Sequence, residues 1–367
     1  MLATSSPTAL PRAVAAMRAA GVDALLIGAG ADLRYLTGYE ALPLERLTLL
    51  VARADGQHRL VVPTLERARA EQAPLPDGLE IADFGETDDP FALVRSSLGS
   101  AASGRLGVGD QLWASFLLSL QDALPGAAWS RASAVTRELR MRKSPEEVAA
   151  LRRAGAAIDR VHARVPKLLE PGRTEAEVGR DIAEAIIEEG HQEVSFVIVA
   201  SGPNGASPHH ETSARRLEDG DTVVVDIGGQ LDGYSSDCTR NYVLGDPPSG
   251  YAEAHAALEA AQRAACEAVR PGIAAQDVDR AARRVLEEAG YGEAFLHRTG
   301  HGIGLETHED PYIVEGNDML LEEGMTFSIE PGVYLAGRFG MRIEDIVAVT
   351  GDGHERLNVG DRAAVTV

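Results

Sequence analysis

The second half of this chain carries an internal repeat, offset by about one hundred positions. PGRTEAEVGRDIAEAIIEEG, which starts at Pro171, aligns with PGIAAQDVDRAARRVLEEAG, which starts at Pro271. LEDGDTVVVDIGG, from Leu217, aligns in the same way with LEEGMTFSIEPGV, from Leu321. Each copy reads as a turn and a helix, followed by a turn and a strand. Such a repeat predicts a pseudo-twofold α+β domain, in which helix pairs pack on a curved, mostly antiparallel sheet.

The same repeat places two carboxylates in each copy. Asp226 aligns with Glu330, and Asp237 aligns with Glu344 after loops of slightly different length. Asp226 ends the apolar run TVVVD and Asp237 follows the short turn at QLDG, so we expect them side by side on adjacent antiparallel strands. Four carboxylates in an apolar core would repel one another and take up protons unless cations neutralised them. The pattern therefore predicts a divalent metal site.

A glycine-rich segment, HRTGHGIGLETHED at 297–310, can supply imidazole to such a site. His297, His301 and His308 would share one face of a helix, but the glycines between them disfavour that helix. We therefore predict an irregular or extended backbone that approaches a neighbouring segment closely. Four acids and one neutral histidine suit two cations such as Mn²⁺, Co²⁺, Fe²⁺ or Zn²⁺, and residue types alone do not rank these metals.

Charge and composition limit the partners and the location. Lys and Arg total 35 against 56 Asp and Glu, and the formal charge of -21 argues against nucleic acid or an anionic membrane as the main partner. The first twelve residues lack the features of a signal peptide and no apolar run reaches membrane-spanning length, so we expect a cytoplasmic protein. Cys238 and Cys266 are the only cysteines, and we predict that both are reduced packing residues.

The first part of the chain reads as a separate, smaller α/β domain. RLTLLVA and HRLVVP are joined by Asp55-Gly56, which predicts a β-hairpin. Further on, Ser144, Pro145 and Glu147 have the spacing of a capping box with proline at the first helical position. We place the domain boundary just before that helix, which divides the chain into 1–140 and 141–367.

Four motifs follow one another in the second domain, and they are DIGGQLDGYSSDCTR, HRTGHGIGLETHE, SIEPGVY and MRIEDI. Taken together, they resemble the metal-binding motifs of the pita-bread (M24-type) metallopeptidases, which include methionine aminopeptidase, aminopeptidase P and prolidase. The resemblance covers roughly residues 145–360, and the first domain resembles the creatinase-like N-terminal domain of prolidase and aminopeptidase P. It implies a pita-bread catalytic domain with two metals per chain, Mn²⁺ being the first expectation. The implied ligands are Asp226, Asp237, His301, Glu330 and Glu344, with Asp237 and Glu344 bridging the metals.

The resemblance also implies roles for side chains around the metals. Glu330 is expected to shuttle a proton as well as bind metal. His209 and His308 are expected to stabilise the tetrahedral intermediate and position the substrate, while the neighbouring His210 is interpreted as a surface residue. The remaining expected contacts are His297 and Tyr234 with the substrate, Arg342 with Glu344 or a substrate carboxylate, and Arg46 as a clamp for a substrate carboxylate.

The implied reaction is hydrolysis of an Xaa-Pro bond by a metal-bridged hydroxide. An Xaa-Pro dipeptidase (prolidase) is the leading interpretation, and aminopeptidase P, which acts on longer peptides, is the alternative. The expected partner is a small peptide with proline at its second position. The expected assembly is a homodimer, in which the N-terminal domain of the partner can close one side of the site. A metal-free creatinase-like amidinohydrolase and a non-catalytic binding protein both fit poorly, because all five ligand types are present.

Overall fold

The computed structural model describes residues 9–367. Residues 1–12 argue against a signal peptide, and the first eight of these lie outside the described residues. The chain forms two compact units, one that ends at Arg140 and one that comprises Met141–Val367. Among residues 9–367, no helix combines the length and the apolar character that a membrane span requires.

The first unit is a six-stranded mixed sheet with helices. Its strands are β1 (Ala24–Gly28), β2 (Leu49–Arg53), β3 (His58–Pro63), β4 (Leu79–Phe84), β5 (Arg105–Val108) and β6 (Ala128–Arg131). Its helices are α1 (Ala9–Ala20), α2 (Ala31–Thr37), α3 (Thr64–Glu71), α4 (Pro90–Leu98), α5 (Ala114–Ala123) and α6 (Ser133–Met141). The strand order is β4-β3-β2-β1-β5-β6. The predicted hairpin is confirmed, since β2 pairs antiparallel with β3 and Gly56 has a φ of 92° in the turn between them.

The second unit contains four long helices and eleven strands. The helices are α7 (Pro145–His162), α8 (Glu175–Glu188), α9 (Tyr251–Ala268) and α10 (Ala275–Glu288). The strands are β7 (Glu193–Ser201), β8 (Thr222–Leu231), β9 (Tyr234–Val243), β10 (Gly300–Gly302), β11 (Glu309–Ile313), β12 (Thr326–Ile329), β13 (Gly332–Leu335), β14 (Phe339–Arg342), β15 (Asp345–Val349), β16 (His354–Arg356) and β17 (Val365–Thr366). The predicted capping box at the start of α7 is present.

The internal repeat corresponds to two similar halves. The aligned helices α8 and α10 are each 14 residues long. β7, β8 and β9 form an antiparallel sheet that β17 extends, and β11-β10-β12-β15-β16 form a second sheet. Each half has its own buried apolar cluster, in which its helices cover its strands. The predicted α+β fold with mostly antiparallel sheets is therefore confirmed.

The two halves meet at the strands that carry the predicted metal ligands. The Glu344 amide donates to the Thr239 carbonyl at 3.3 Å. Arg240 donates to the Asp345 carboxylate at 2.7 Å and to the Glu344 carbonyl at 2.6 Å. Arg240 and Asp345 are 4% and 0% exposed, and the Asp345 carboxylate also pairs with Arg356 and Arg362. This ion pair fixes β9 against β15.

Candidate metal centre

In the first half, β8 and β9 present two acids on the same face. Asp226 lies opposite Thr239, and Asp237 lies opposite Gly228. Because residues two apart on a strand point the same way, both carboxylates project from one side of the ladder. Asp226 and Asp237 are 8% and 4% exposed.

The second half brings three more predicted ligands to the same place. His301 lies in the middle of β10, Glu330 lies between β12 and β13, and Glu344 lies between β14 and β15. The His301 Nε2 atom is 3.2 Å from Glu330 Oε1 and 3.7 Å from Asp237 Oδ2. One ligand atom each from Asp237, His301 and Glu344 lie within 4.8 Å of one another.

The donor atoms of this cluster fit divalent cations. The pKa of Asp237 is raised well above its ordinary value by burial and then by Glu344 and Asp226, and the pKa of Glu344 is raised by burial and then by neighbouring carboxylates. Asp226 Oδ1 and Glu344 Oε1 are buried without a hydrogen-bond partner. A cation between these oxygens would offset the repulsion between the buried carboxylates and would give both unpaired oxygens a partner.

The hydrogen bonds of His301 prepare it to bind a metal. Its Nδ1 atom lies 3.1 Å from the Gly302 carbonyl, which can only accept. In the neutral ring Nδ1 therefore carries the proton, and Nε2 has its lone pair free on the side of the Glu330 and Asp237 carboxylates. A metal ion here could bind this nitrogen together with the carboxylates, and such a backbone contact is the usual way to orient a metal-binding histidine.

Arg342, Tyr334 and His297 form a directed chain of hydrogen bonds beside the cluster. Arg342 donates to the Asp226 carboxylate and, at 2.9 Å, to the Tyr334 hydroxyl. The His297 Nδ1 atom donates to the Arg298 carbonyl at 2.8 Å, so its Nε2 atom accepts from the Tyr334 hydroxyl at 2.9 Å. The chain fixes the orientation of Asp226 from behind.

His308 and His209 reach the surface near the cluster. The centroid of the His308 ring lies 4.0 Å from that of His301. The pKa of His308 is lowered to about 4 by partial burial of its ring and then by the charges of His301 and Arg298. His209 is exposed in the loop between β7 and β8, and no group of residues 9–367 hydrogen-bonds its ring.

Comparison with known proteins agrees with this geometry. Residues 149–351 match the model of metallopeptidase family M24, and residues 10–142 match the creatinase/prolidase N-terminal domain. This chain belongs to metallopeptidase family M24. It is similar to a probable dipeptidase PepE of Mycobacterium tuberculosis, with 55% identity over 95% of this chain and 93% of the relative. It is also similar to an Xaa-Pro dipeptidase of Lactobacillus helveticus, with 35% identity over 89% and 90% of the two chains.

A solved structure is similar along the whole length of this M24 peptidase. It is the dipeptidase PepE from Mycobacterium ulcerans, which superimposes with a TM-score of 0.94 at 52% identity and covers 100% of both chains. The two domains, the fold and the assignment to a metallopeptidase family therefore agree with the resemblance seen in the sequence.

Two predicted contacts of this M24 chain need correction. Tyr234 is three residues from Asp237 on β9, so it lies on the opposite face and donates to Glu147 of α7 at 2.8 Å instead of facing substrate. Arg342 is 5% exposed and holds the Asp226 carboxylate. Its other donors go to Thr239 Oγ1, Tyr334 and the Pro208 carbonyl, so it binds the Asp226 carboxylate directly and reaches Glu344 only through Thr239.

Arg46 and His210 are both paired with acidic side chains. Arg46 lies in the first unit and forms ion pairs with Glu45 and Glu86. His210, interpreted from the sequence as a surface residue, donates from Nε2 to the buried carboxylate of Glu175 at 2.8 Å. The interpretation of His210 is therefore wrong.

The glycines of the histidine segment serve close packing of the M24 core. A Cβ atom at Gly300 would lie 1.8 Å from the Ser328 carbonyl oxygen, and one at Gly302 would lie 2.2 Å from the Asp310 carbonyl oxygen. Any larger side chain would separate β10 from β12 and β11. The predicted extended backbone, in close contact with neighbouring segments, is confirmed. This packing holds His301 close to the strands that carry the acidic ligands.

Several side chains around this M24 centre were not anticipated from the sequence. Tyr334 links His297 to Arg342, and Arg298 lies near His308. Glu175 and Asp279 are both 0% exposed although neither is a predicted ligand. The sequence does not distinguish these two acids, because each is one of several acids in the first turns of an ordinary amphipathic helix. Their burial is seen only in the structure. The cysteines, by contrast, are free and buried as expected.

Proposed function

We propose that this M24 peptidase is an Xaa-Pro dipeptidase. The observation that carries the proposal is the convergence of four carboxylates and one imidazole, from two pseudo-symmetric halves, at Asp226, Asp237, His301, Glu330 and Glu344. The relatives named as dipeptidases support the substrate class because they are aligned over almost the whole chain.

The five side chains would hold two divalent cations, with Mn²⁺ as the first candidate and Co²⁺, Zn²⁺ and Fe²⁺ as the others. Two such ions supply an activated water as the nucleophile and polarise the scissile carbonyl. Asp237 and Glu344 are suited to bridging because each is buried among other carboxylates. Thr239 donates to Glu344 Oε2 at 2.7 Å and thereby orients that carboxylate.

Glu330 is the best-placed proton carrier. Ser328 donates to its Oε1 atom at 3.0 Å, while no group in the described chain hydrogen-bonds its Oε2 atom. The side chain of Glu330 is 14% exposed, more than that of Asp237 at 5%. Oε2 can therefore take a proton from the nucleophile and deliver it to the departing proline nitrogen.

His308 and His209 would act on the substrate carbonyl. A pKa of about 4 keeps the His308 ring neutral at pH 7, so that it offers one N–H donor without adding positive charge next to the metals. His209 is exposed and makes no internal hydrogen bond in residues 9–367, which leaves its ring available to a peptide. Donors at these two positions can stabilise the oxyanion of a tetrahedral intermediate.

Arg298 can receive the terminal carboxylate that distinguishes a dipeptide from a longer peptide. Its guanidinium lies 4.4 Å above the centroid of the Tyr312 ring and, within the described chain, makes no ion pair. It is half-buried and close enough to His308 to lower the pKa of that ring. An uncommitted guanidinium stacked on an aromatic ring is well suited to bind a carboxylate. Arg298 is thus a stronger candidate than Arg46, whose charge is already paired.

Aminopeptidase P activity is the alternative, since the metal ligands do not separate the two reactions. The deciding experiment compares hydrolysis of Xaa-Pro and Xaa-Pro-Xaa peptides by the metal-loaded enzyme. We expect the dipeptides to be cleaved with the higher kcat/KM. A clear preference for the tripeptides would reject the dipeptidase proposal in favour of the alternative.

The proposed assembly is a homodimer. Leu42, Leu44, Leu65 and Trp113 are 54%, 42%, 71% and 44% exposed and line shallow depressions beside Arg46 in the first unit. Such an exposed apolar surface is typical of an interaction site. Sedimentation measurements test it directly, because Leu44→Glu should convert a dimer to a monomer, whereas a monomeric wild type would reject the proposal. The cytoplasmic location stays a prediction from the sequence.

A further inference from the structure

The loop that carries His209 is closed by a single buried carboxylate. The loop leaves β7 at Ser201 and returns towards β8 through Ser213. Glu175, the first residue of α8, lies beneath it and is 0% exposed. A fully buried carboxylate that is not a metal ligand is costly unless its oxygens are satisfied, so its partners indicate what it is for.

All the side-chain hydrogen bonds of Glu175 come from this loop and its two ends. Oε1 accepts from the Ser201 amide and hydroxyl, both at 2.7 Å, and from Asn204 Nδ2 at 3.0 Å. Oε2 accepts from His210 Nε2 at 2.8 Å and from the Ser213 amide and hydroxyl at 3.0 and 2.6 Å. One carboxylate therefore joins both ends of the loop and two residues within it.

Helix capping does not account for Glu175. Thr174 is the N-cap of α8 and forms a complete capping box with Glu177. Burial alone would raise the pKa of Glu175, but hydrogen bonds from Ser213, Ser201 and His210 outweigh it and lower the pKa to about 2. The carboxylate is therefore ionised at neutral pH, and all of its side-chain donors belong to the loop.

The other side of the loop rests on β14, in the second half of the repeat. A Cβ atom at Gly340 would lie 1.8 Å from the Gly205 carbonyl oxygen, so the loop backbone is in close contact with β14. Arg342 also donates to the Pro208 carbonyl at 3.4 Å. Glu175 holds one side of the loop, and β14 holds the other side. His209 lies between Pro208 and His210 on this fixed stretch of backbone.

The second half of the repeat also has a buried acid on its own helix, at a different position, since Asp279 aligns with Gly179. Asp279 of α10 is 0% exposed and accepts from the Thr299 amide at 3.0 Å and the Thr299 hydroxyl at 2.7 Å. Thr299 lies between His297 and His301, and its carbonyl accepts from the Glu330 amide at 2.8 Å. In each half, a buried carboxylate on the corresponding helix thus holds the segment that carries the histidines.

We propose that Glu175 is a positioning residue that fixes the His209 loop and acts on catalysis through His209. The inference rests on the proposed function only in giving His209 a role with substrate. Glu175→Gln keeps the shape of the side chain, but its amide nitrogen would face donors. The loop should then loosen and His209 should lose its fixed position, while the metal ligands, which Glu175 does not touch, stay in place.

The test is a double-mutant cycle of Glu175→Gln and His209→Ala, measured with any peptide that the wild type cleaves. We expect each single variant to lower kcat/KM, by up to about 100-fold for a displaced catalytic group. The double variant should be no worse than His209→Ala, and all variants should keep the wild-type metal content. Losses that multiply in the double variant, or loss of metal in Glu175→Gln, would overturn the proposal.

Hydrogen exchange gives a second readout that does not depend on any substrate. Amides at 202–212 should exchange faster in Glu175→Gln than in the wild type, with little change elsewhere. Glu184→Gln, the same substitution at an exposed position of α8, is the control and should exchange like the wild type. Should Glu175→Gln fail to fold, Ser213→Ala removes one side-chain donor and should show the same changes at smaller size. Unchanged loop exchange would reject the positioning role even if no peptide were cleaved.

Discussion

Replacement of Arg298 by glutamine should make the hydrolysis of Xaa-Pro independent of the C-terminal carboxylate of the substrate. The substitution removes the charge but leaves most of the side chain packed over Tyr312. A hydrogen bond to a charged group contributes about 1.5–3 kcal/mol. Because Arg298 is half-buried and partly screened by solvent, we expect the lower end of that range. At about 1.4 kcal/mol for each tenfold change, kcat/KM for Xaa-Pro should fall about tenfold.

The assay compares each enzyme on an Xaa-Pro dipeptide and on the corresponding Xaa-Pro amide, which lacks the terminal charge. The wild type should prefer the acid about tenfold, and Arg298→Gln should treat both substrates alike at the lower rate. Arg263→Gln, at an exposed position of α9, is the charge-matched control and should keep the wild-type preference. A preference for the acid that survives in Arg298→Gln would refute the assignment of Arg298, whatever the activity of the wild type.

Three further predictions concern catalysis and stability. Glu330→Gln should lower kcat by at least about 100-fold, the usual contribution of a positioned proton carrier, in stopped assays on enzyme whose metal content is measured in parallel; near-normal turnover would exclude the proton-shuttle role. Tyr334→Phe should leave one N–H of Arg342 and the Nε2 atom of His297 unpaired and lower the free energy of unfolding by about 1–3 kcal/mol in urea titrations, whereas an unchanged midpoint would mean that the chain of hydrogen bonds contributes nothing. Folding lowers the pKa of Glu175 from 4.5 to about 2, so its stabilising contribution is complete above the unfolded-state pKa and is lost as the pH falls through that interval. The wild type should therefore lose more stability than Glu175→Gln between these two pH values, and parallel curves would argue against the ionised clamp.

Most of the architecture could be predicted because the repeat is written in local patterns. The aligned turns and helices predict two similar halves, and α8 and α10 have the same length. The acids at the ends of apolar runs predict a buried cluster because a strand fixes which side chains share a face. The close approach at Gly300 follows from the same kind of argument, since a glycine in a strand indicates a neighbour without room for a side chain.

Strand alternation also explains one error. Tyr234 and Asp237 are an odd number of residues apart on one strand, so they cannot share a face, and the sequence alone contained that information. Arg342 is a different case. It is two residues before Glu344, but the chain leaves β14 at Arg342, and the guanidinium reaches across to Asp226 of the other half.

Contacts between distant segments account for what the sequence did not reveal. Glu175 looks like any acid in the first turn of a helix, and only the folded chain brings Ser201 and Ser213 to it. The sequence suggests that His210 is a surface residue beside His209, but in the structure its ring donates to the buried Glu175 carboxylate. The roles of such residues depend on tertiary placement, which periodicity and motif spacing do not encode.

The most direct test of the account is the metal dependence of Xaa-Pro hydrolysis. Chelated, dialysed enzyme should be inactive on Xaa-Pro dipeptides, and titration with Mn²⁺ should restore activity as about two ions bind per chain. Asp237→Asn, which alters one of the buried carboxylates of the cluster, should bind less metal and regain little activity under the same titration. Full hydrolysis of Xaa-Pro by metal-free wild type, or metal binding without any Xaa-Pro hydrolysis, would contradict the account.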